Sequence, residues 1–343
     1  MIIFRCEASP KLGFGHLSRC RALAKAFSSY GVESGMVGPS KRYMSESDRY
    51  LFKIWEPVEQ WRSAENDAKF LAKIMYANNS GVAVLDDYRV DEGYQHVLMK
   101  AGIRWLQFES RYDKPIWADW ILYANPAAKQ LDFRHSLRKD TTKVLVGPKY
   151  AILREEFSQI KKNIDGKEVK NLLIVFGGGD DRGAIKLSLE EVFEHFGDRL
   201  RVTVISGGNN PNNVELSAYI LNKSSNVELI INPPNIAKIM ETSDLAVTSG
   251  GTLTYEFAAC NVPMIIVALT EDQKASLAWS KLNCAFYLGE LSKLKEGEIS
   301  GAIHSFLNDK NLRSKMNEAL AKTVDGKGAK RVASIVLKDL GIL

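Results

Sequence analysis

The sequence predicts an α/β protein of two doubly wound, Rossmann-like domains facing a cleft, with ligands at the carboxyl ends of the strands. Three observations carry this. Short apolar strands alternate with helical stretches, which predicts parallel sheets covered by helices on both faces. The alternation closes near Pro148 and restarts after a charged stretch. Several strands run into glycine-rich loops. A length of 343 residues suffices for two domains at about 100–200 residues each. The expected division is 1–148, 149–328 and a tail, 329–343, that reads as a helix able to cross back to the first domain.

In the first half, residues 2–5 form a short apolar strand. Residues 17–27 read as an amphipathic helix with Leu17, Ala24 and Phe27 toward the core. Residues 35–38 read as a strand and its exit, 61–76 as a helix, and 81–88 as a buried strand ending in Asp86, Asp87 and Tyr88. A helix over 92–101, a strand over 104–108, a strand and turn over 120–126 and a strand over 144–148 complete this half.

The stretch 161–170 is the most linker-like part of the middle. Beyond it, strands are expected at 172–176, 202–206, 227–230, 245–248 and 263–267. Helices are expected at 184–196, 236–241 and 253–260, and helices dominate from Ala275 onward.

Composition narrows the function. Hydrophobic residues make up 45% and charged residues 25%, an ordinary globular balance. The net charge of +5 is mild and no long basic run occurs, so nucleic-acid binding has no support. Cys6, Cys20, Cys260 and Cys284 are widely spaced without a CxxC pair. That argues against a zinc site or disulfide framework and fits a reducing cytoplasm. No signal peptide or transmembrane run is expected.

Gly13-Phe14-Gly15-His16, with Leu12 before it, joins the first strand to the first helix. Glycines there let backbone approach a ligand, and a helix N-terminus favours anions. A histidine at that point can exchange protons near neutral pH. A plain turn with a capping histidine accounts for the same spacing. Asp86, Asp87 and Tyr88 lie at a strand end, where ligand contacts or helix capping are both expected. Gly250-Gly251-Thr252 opens a helix after a buried strand and is a candidate phosphate grip. Glu256, one turn later, is placed to accept from ribose hydroxyls or to serve as an ordinary first-turn acid. Gly177-Gly178-Gly179-Asp180 at a strand end suits close approach of a ligand or a flexible strand exit. It lacks both the Lys-Ser/Thr ending of a P-loop and a full G-x-G-x-x-G fingerprint, so ATP hydrolysis and NAD binding are weakly supported. No G-x-S-x-G elbow is present.

Together these blocks resemble the UDP-2,4-diacetamido-2,4,6-trideoxy-β-L-altropyranose hydrolases of pseudaminic acid biosynthesis. The matching residues are Phe4-Arg5-Cys6-Glu7-Ala8-Ser9, Gly13-Phe14-Gly15-His16 and Arg19-Cys20-Arg21-Ala22-Leu23-Ala24. Leu85-Asp86-Asp87-Tyr88, Asp119 with Asn125, and the block from Gly147 through Tyr150, Arg154 and Phe157 follow in the same order. Phe176-Gly177-Gly178-Gly179-Asp180, then Gly250-Gly251-Thr252 to Glu256, then Gln273 complete the series. The resemblance implies the GT-B architecture. It implies a sugar and catalytic domain followed by a UDP-binding domain, and hydrolysis of the C1–O bond without a cofactor or required metal. The implied partners are a UDP-sugar and water, with His16 as the base. Arg154 and Gln273 enter as substrate-binding positions through it. Glu7, Glu109-Ser110 and Asp272 depart from the Asp, Asp-Asp and Asn usual in the family. The alternative is a GT-B glycosyltransferase, in which an acceptor hydroxyl replaces water.

Overall fold

The computed structural model of the chain describes residues 1–9, 13–160, 166, 168–221, 223 and 226–343. Leu12, and residues 161–165 and 167 of the expected linker, lie outside the described residues. The chain divides into two units. The first comprises Met1–Ala124, Ala128–Arg154 and Lys327–Leu343; the second comprises Asn125–Ala127 and Glu155–Gly326. The division therefore falls after Arg154, ahead of the charged stretch.

The first unit runs β1 (Ile2–Cys6), α1 (Gly15–Ser28), β2 (Ser34–Gly38), α2 (Glu46–Leu51), β3 (Phe52–Pro57), α3 (Ala64–Ala77), β4 (Val82–Asp86), α4 (Glu92–Lys100), β5 (Arg104–Phe108), β6 (Trp120–Tyr123) and β7 (Lys143–Val146). The strands form one sheet in the order β3-β2-β1-β4-β5-β6-β7, and the neighbouring pairs are parallel. The sequence reading passed over α2 and β3. A capping box between Ser45 and Asp48 starts α2, and β3 is the edge strand beside β2.

Side chains of a strand alternate between its two faces. Ile2, Phe4, Cys6 and Val84 pack with Leu17, Leu23 and Phe27 of α1. Ile3, Ala83 and Leu85 pack on the other face with Leu71 of α3 and Leu98 of α4. The alternation continues to the strand ends, so Asp86 falls on the α1 face while Arg5 and Asp87 fall on the α3 face. That division sets the site.

The second unit runs β8 (Asn171–Val175), α5 (Ala184–Phe196), β9 (Arg201–Ser206), α6 (Asn213–Leu221), β10 (Val227–Ile231), α7 (Ile236–Glu241), β11 (Leu245–Ser249), α8 (Leu253–Cys260), β12 (Met264–Ala268), α9 (Leu277–Lys281), β13 (Ala285–Glu290), α10 (Glu298–Asn308) and α11 (Lys310–Ala321). Its sheet has the order β10-β9-β8-β11-β12-β13. Helices dominate after Ala275 as expected, with one strand among them, β13, that the sequence reading did not name. That strand pairs in parallel with β12 through a register shift at Ile266/Val267, which blurs the alternation that would announce it.

The last helix, α12 (Gly328–Asp339), belongs to the first unit. Val332, Ala333, Val336 and Leu337 bury themselves in the same cluster as the apolar face of α1. Each large apolar side chain so covered contributes about 1.5–3 kcal/mol. At its far end Asp339 accepts from Lys143 Nζ at 2.6 Å and Arg104 Nη2 at 3.1 Å, which ties the helix to β7 and β5. All four cysteines are buried and none is in a disulfide. Among the described residues, no helix is long and apolar enough to cross a membrane.

Candidate active site

The turn after β1 closes with the Gly13 amide donating to Ser9 O at 2.8 Å. Gly13 has φ +81°, a region that favours glycine. Phe14 occupies the N-cap position of α1 without a side-chain cap. Gly15 and His16 are the first two helical residues, where backbone N–H groups have no intrahelical partner.

His16, Arg19 and Cys20 share one face of α1 at i, i+3 and i+4, and that face meets Asp86 at the end of β4. His16 Nδ1 lies 2.6 Å from Asp86 Oδ1. Arg19 donates to both oxygens of the same carboxylate, and its guanidinium lies 4.5 Å over the Phe108 ring. Asp86 is 1% exposed and His16 19% exposed. Burial pushes the Asp86 carboxyl up, but the Arg19 charge, its hydrogen bonds and the bond from His16 outweigh this and hold it below the ordinary aspartate value. A carboxylate only accepts, so Nδ1 carries a proton, and of the two neutral tautomers the contact selects the one with its lone pair on Nε2. The 3.1 Å approach of Arg19 Nη2 to Nδ1 therefore brings two donors together around a shared oxygen. Tyr88 stands edge-on to the imidazole at 5.1 Å between centroids. Among the described residues Nε2 has no hydrogen-bond partner.

Asp87 lies on the other face and does not join His16. Its carboxylate accepts from the Arg89 amide at 2.9 Å, Arg89 Nε at 2.8 Å and Arg89 Nη2 at 2.5 Å. It also lies 3.5 Å from buried Arg5. Burial raises its pKa, but these partners lower it further, so it stays below the usual value. Arg5 is held two-pronged by Asp67 of α3, at 2.9 Å for both bonds. Neither Asp86 nor Asp87 caps a helix; Asp91 caps α4 by accepting from the Tyr94 amide. Arg154 lies in the first unit, just before the division.

In the second unit the site candidates gather at the carboxyl end of the sheet. A Cβ at Gly250 would fall 2.4 Å from Ser276 Oγ and 2.7 Å from Gln273 O, so only glycine fits. Gln273 Oε1 accepts from the amides of Gly250, at 3.2 Å, and Leu269, at 2.9 Å. Gln273 thus braces the exits of β11 and β12. Gly251 and Thr252 follow at the N-terminus of α8, and the exposed Thr252 makes no side-chain cap. Glu256 sits in that helix's first turn. Gly178 has room around it, yet its carbonyl is where a Cβ at Gly207 would strike, at 2.1 Å. The close approach is therefore of one strand exit to another. Asp181 accepts from the Ile185 amide at 2.8 Å and Asn212 Nδ2 at 2.7 Å, which fixes the loop.

The pattern reading placed Asp86 at a strand end that meets ligands but did not join it to His16, and it missed Arg19 as a site member. The i, i+3 spacing of His16 and Arg19, together with two adjacent acids on a neighbouring strand, was the available signal. Among the described residues, no group of three or more His, Cys, Asp or Glu side chains is placed to hold a metal ion.

Residues 172–331 match the glycosyltransferase family 28 C-terminal domain. Over 346 residues the chain is 24% identical to an uncharacterized protein of Methanocaldococcus jannaschii, covering 97% of this chain and 69% of that one. Over 280 residues it is 25% identical to the UDP-2,4-diacetamido-2,4,6-trideoxy-beta-L-altropyranose hydrolase of Campylobacter jejuni, covering 81% of this chain and 95% of that one. The crystal structure of Acinetobacter baumannii MurG has the same fold, with a TM-score of 0.63 over 98% of this chain and 99% of that one at 15% identity. With its two parallel-sheet units, the chain is a GT-B protein. Within that class it is a relative of the UDP-2,4-diacetamido-2,4,6-trideoxy-altropyranose hydrolase family.

Proposed function

We propose that the protein is an enzyme acting on UDP-sugars, which hydrolyses a UDP-linked 2,4-diacetamido-2,4,6-trideoxy sugar at the C1–O bond. The observation that carries this is the 2.6 Å contact between His16 Nδ1 and a buried Asp86 carboxylate held ionised by Arg19. It leaves Nε2 as a base. Nε2 takes a proton from water as the water oxygen bonds to C1. The C1–O bond breaks, the electron pair leaves with UDP, and the free sugar departs with the new hydroxyl. Asp86 stabilises the imidazolium formed in that step, a stabilisation larger in the transition state than before it.

In this reading the first unit supplies the base, with Gly13, Gly15 and Tyr88 around it. The second unit binds UDP through Gly250, Gly251 and Thr252, with Gly178, Glu256 and Gln273 supporting the grip. Asp87 acts through Arg89, and Arg154 completes the substrate contacts. The relatives and the buried free thiols support a cytoplasmic biosynthetic role.

The match to a glycosyltransferase family 28 domain favours one rival reading, in which Nε2 deprotonates an acceptor hydroxyl. Incubation with the UDP-sugar in ¹⁸O-water, followed by mass spectrometry, separates the two. Hydrolysis puts one labelled oxygen in the free sugar and none in UDP. Label in the phosphate overturns C1–O cleavage, and UDP release that requires an added acceptor establishes the transferase.

A further inference from the structure

The ion-pair cluster on the α3 face contains two hydrogen-bonding groups that its own bonds do not use. Arg89 Nε and Nη2 are engaged by Asp87, and Nη2 also donates to Glu7 Oε2 at 2.6 Å. Among the described residues Arg89 Nη1, with two N–H donors, and Glu7 Oε1, an acceptor, have no partner. The side chains are 34% and 25% exposed. The guanidinium lies 3.8 Å over the Trp61 ring, so its plane and the direction of Nη1 are fixed before any ligand arrives.

The location is on the edge that carries the base. Glu7 follows Cys6, which pairs with Asp86 across β1 and β4. Tyr88, which stands against His16, is the residue between Asp87 and Arg89. The charge of the cluster decides what it can bind. Two guanidinium groups, Arg5 and Arg89, face three carboxylates, Glu7, Asp67 and Asp87. The formal surplus is negative, so an anionic substituent is repelled although an arginine is exposed. A neutral group with a carbonyl acceptor suits Nη1, and an N–H or hydroxyl on the adjoining ring position suits Glu7 Oε1.

We infer that Glu7 and Arg89 are specificity-determining residues that recognise the neutral, acetamido-bearing face of the sugar, an inference that rests on the UDP-acetamido-sugar reading above. Arg89 Nη1 donates to an acetamido carbonyl and Glu7 Oε1 accepts from the neighbouring substituent. No bond is made or broken by either residue.

The test is equilibrium binding by calorimetry to the full chain in a His16→Ala background, which stops turnover of the probes, with wild type here meaning the native residues at 7 and 89. The probes are the UDP-2,4-diacetamido-2,4,6-trideoxy sugar, an analogue with hydroxyls replacing both acetamido groups, and an analogue carrying a carboxylate in their place. Wild type prefers the diacetamido probe to the hydroxyl analogue by about tenfold, the scale of one charge-assisted hydrogen bond. It binds the carboxylate analogue most weakly. Arg89→Lys and Glu7→Asp each shrink the preference for the diacetamido probe, and Glu7→Gln narrows the gap to the carboxylate analogue. Thermal melts identify any variant that fails to fold, and the two-member Glu7 series then carries the result.

Unchanged preference ratios in folded variants overturn the inference, as does a wild type indifferent to the acetamido groups. Hydrolysis is read separately, with His16 in place, as UDP release. A chain that discriminates the probes but releases no UDP overturns the hydrolase reading and leaves the recognition role standing. A chain that binds none of the probes overturns both.

Discussion

The carboxyl edge of the first sheet is built from buried charge, and that of the second from bare backbone. In the first unit, Asp86, Asp87, Arg5 and Asp67 are buried and ion-paired, with Arg19, His16, Glu7 and Arg89 partly exposed around them. In the second, Gly207 sits against Gly178, Gly250 against Ser276, and one glutamine oxygen ties two strand exits together. Under the proposed function the difference separates two tasks. Proton transfer needs a side chain whose tautomer is set by a neighbour. Gripping a diphosphate needs amides brought close, which a Cβ would obstruct. The two edges should therefore fail in different ways when altered.

The largest expected effect is on the charged edge. His16→Ala lowers kcat for UDP release by about 10²–10⁴, the usual worth of a positioned base, with little change in KM. A coupled UDP-release assay measures both, and full retained turnover removes His16 from the mechanism. The glycine edge should show the opposite signature. Gly250→Ala overpacks the site by about 1–3 kcal/mol and weakens UDP binding by about tenfold or more. Gly179→Ala, where a Cβ meets nothing within 4 Å, changes it little. Equal losses at the two positions, read by titration with UDP, break the contrast.

The smallest effect is on stability. The Asp86 pKa is depressed in the folded chain relative to the ordinary 3.8. Its contribution is therefore fully present above that value and is lost as pH falls through the folded pKa. Denaturant midpoints of wild type decline over that acid range, while Asp86→Asn declines less. Parallel curves for the two proteins remove Asp86 as the source.

Much of this fold was legible because strand runs such as those of β4, β8 and β11 are short, apolar and punctuated by glycine. The helices at 184–196, 236–241 and 253–260 were read with the same limits that the structure shows. β3 and β13 were not, since both are sheet edges where burial is partial and the apolar signal thins. The site was legible to the level of residue type. Asp86 and Asp87 look equivalent in sequence, and only the alternation of β4, with α1 packed on one face and α3 on the other, gives one to His16 and the other to Arg89. Gln273, read as a substrate contact, instead has its oxygen turned onto the amides of Gly250 and Leu269.

The placement of α12 also orders events during synthesis. The first unit is interrupted in the chain, and the helix that covers part of its α1 face is made only after residues 155–326. A ribosome completing the second unit thus carries a first unit whose sheet is whole but whose apolar seam, later closed by Val332, Val336 and Leu337, is still open. Partly covered intermediates of this kind are the species that chaperones hold and that aggregate at high expression. Helix α12 completes the unit that bears the proposed base, so a chain that stops before it has the proposed UDP-binding unit in place while the first unit is still unsealed.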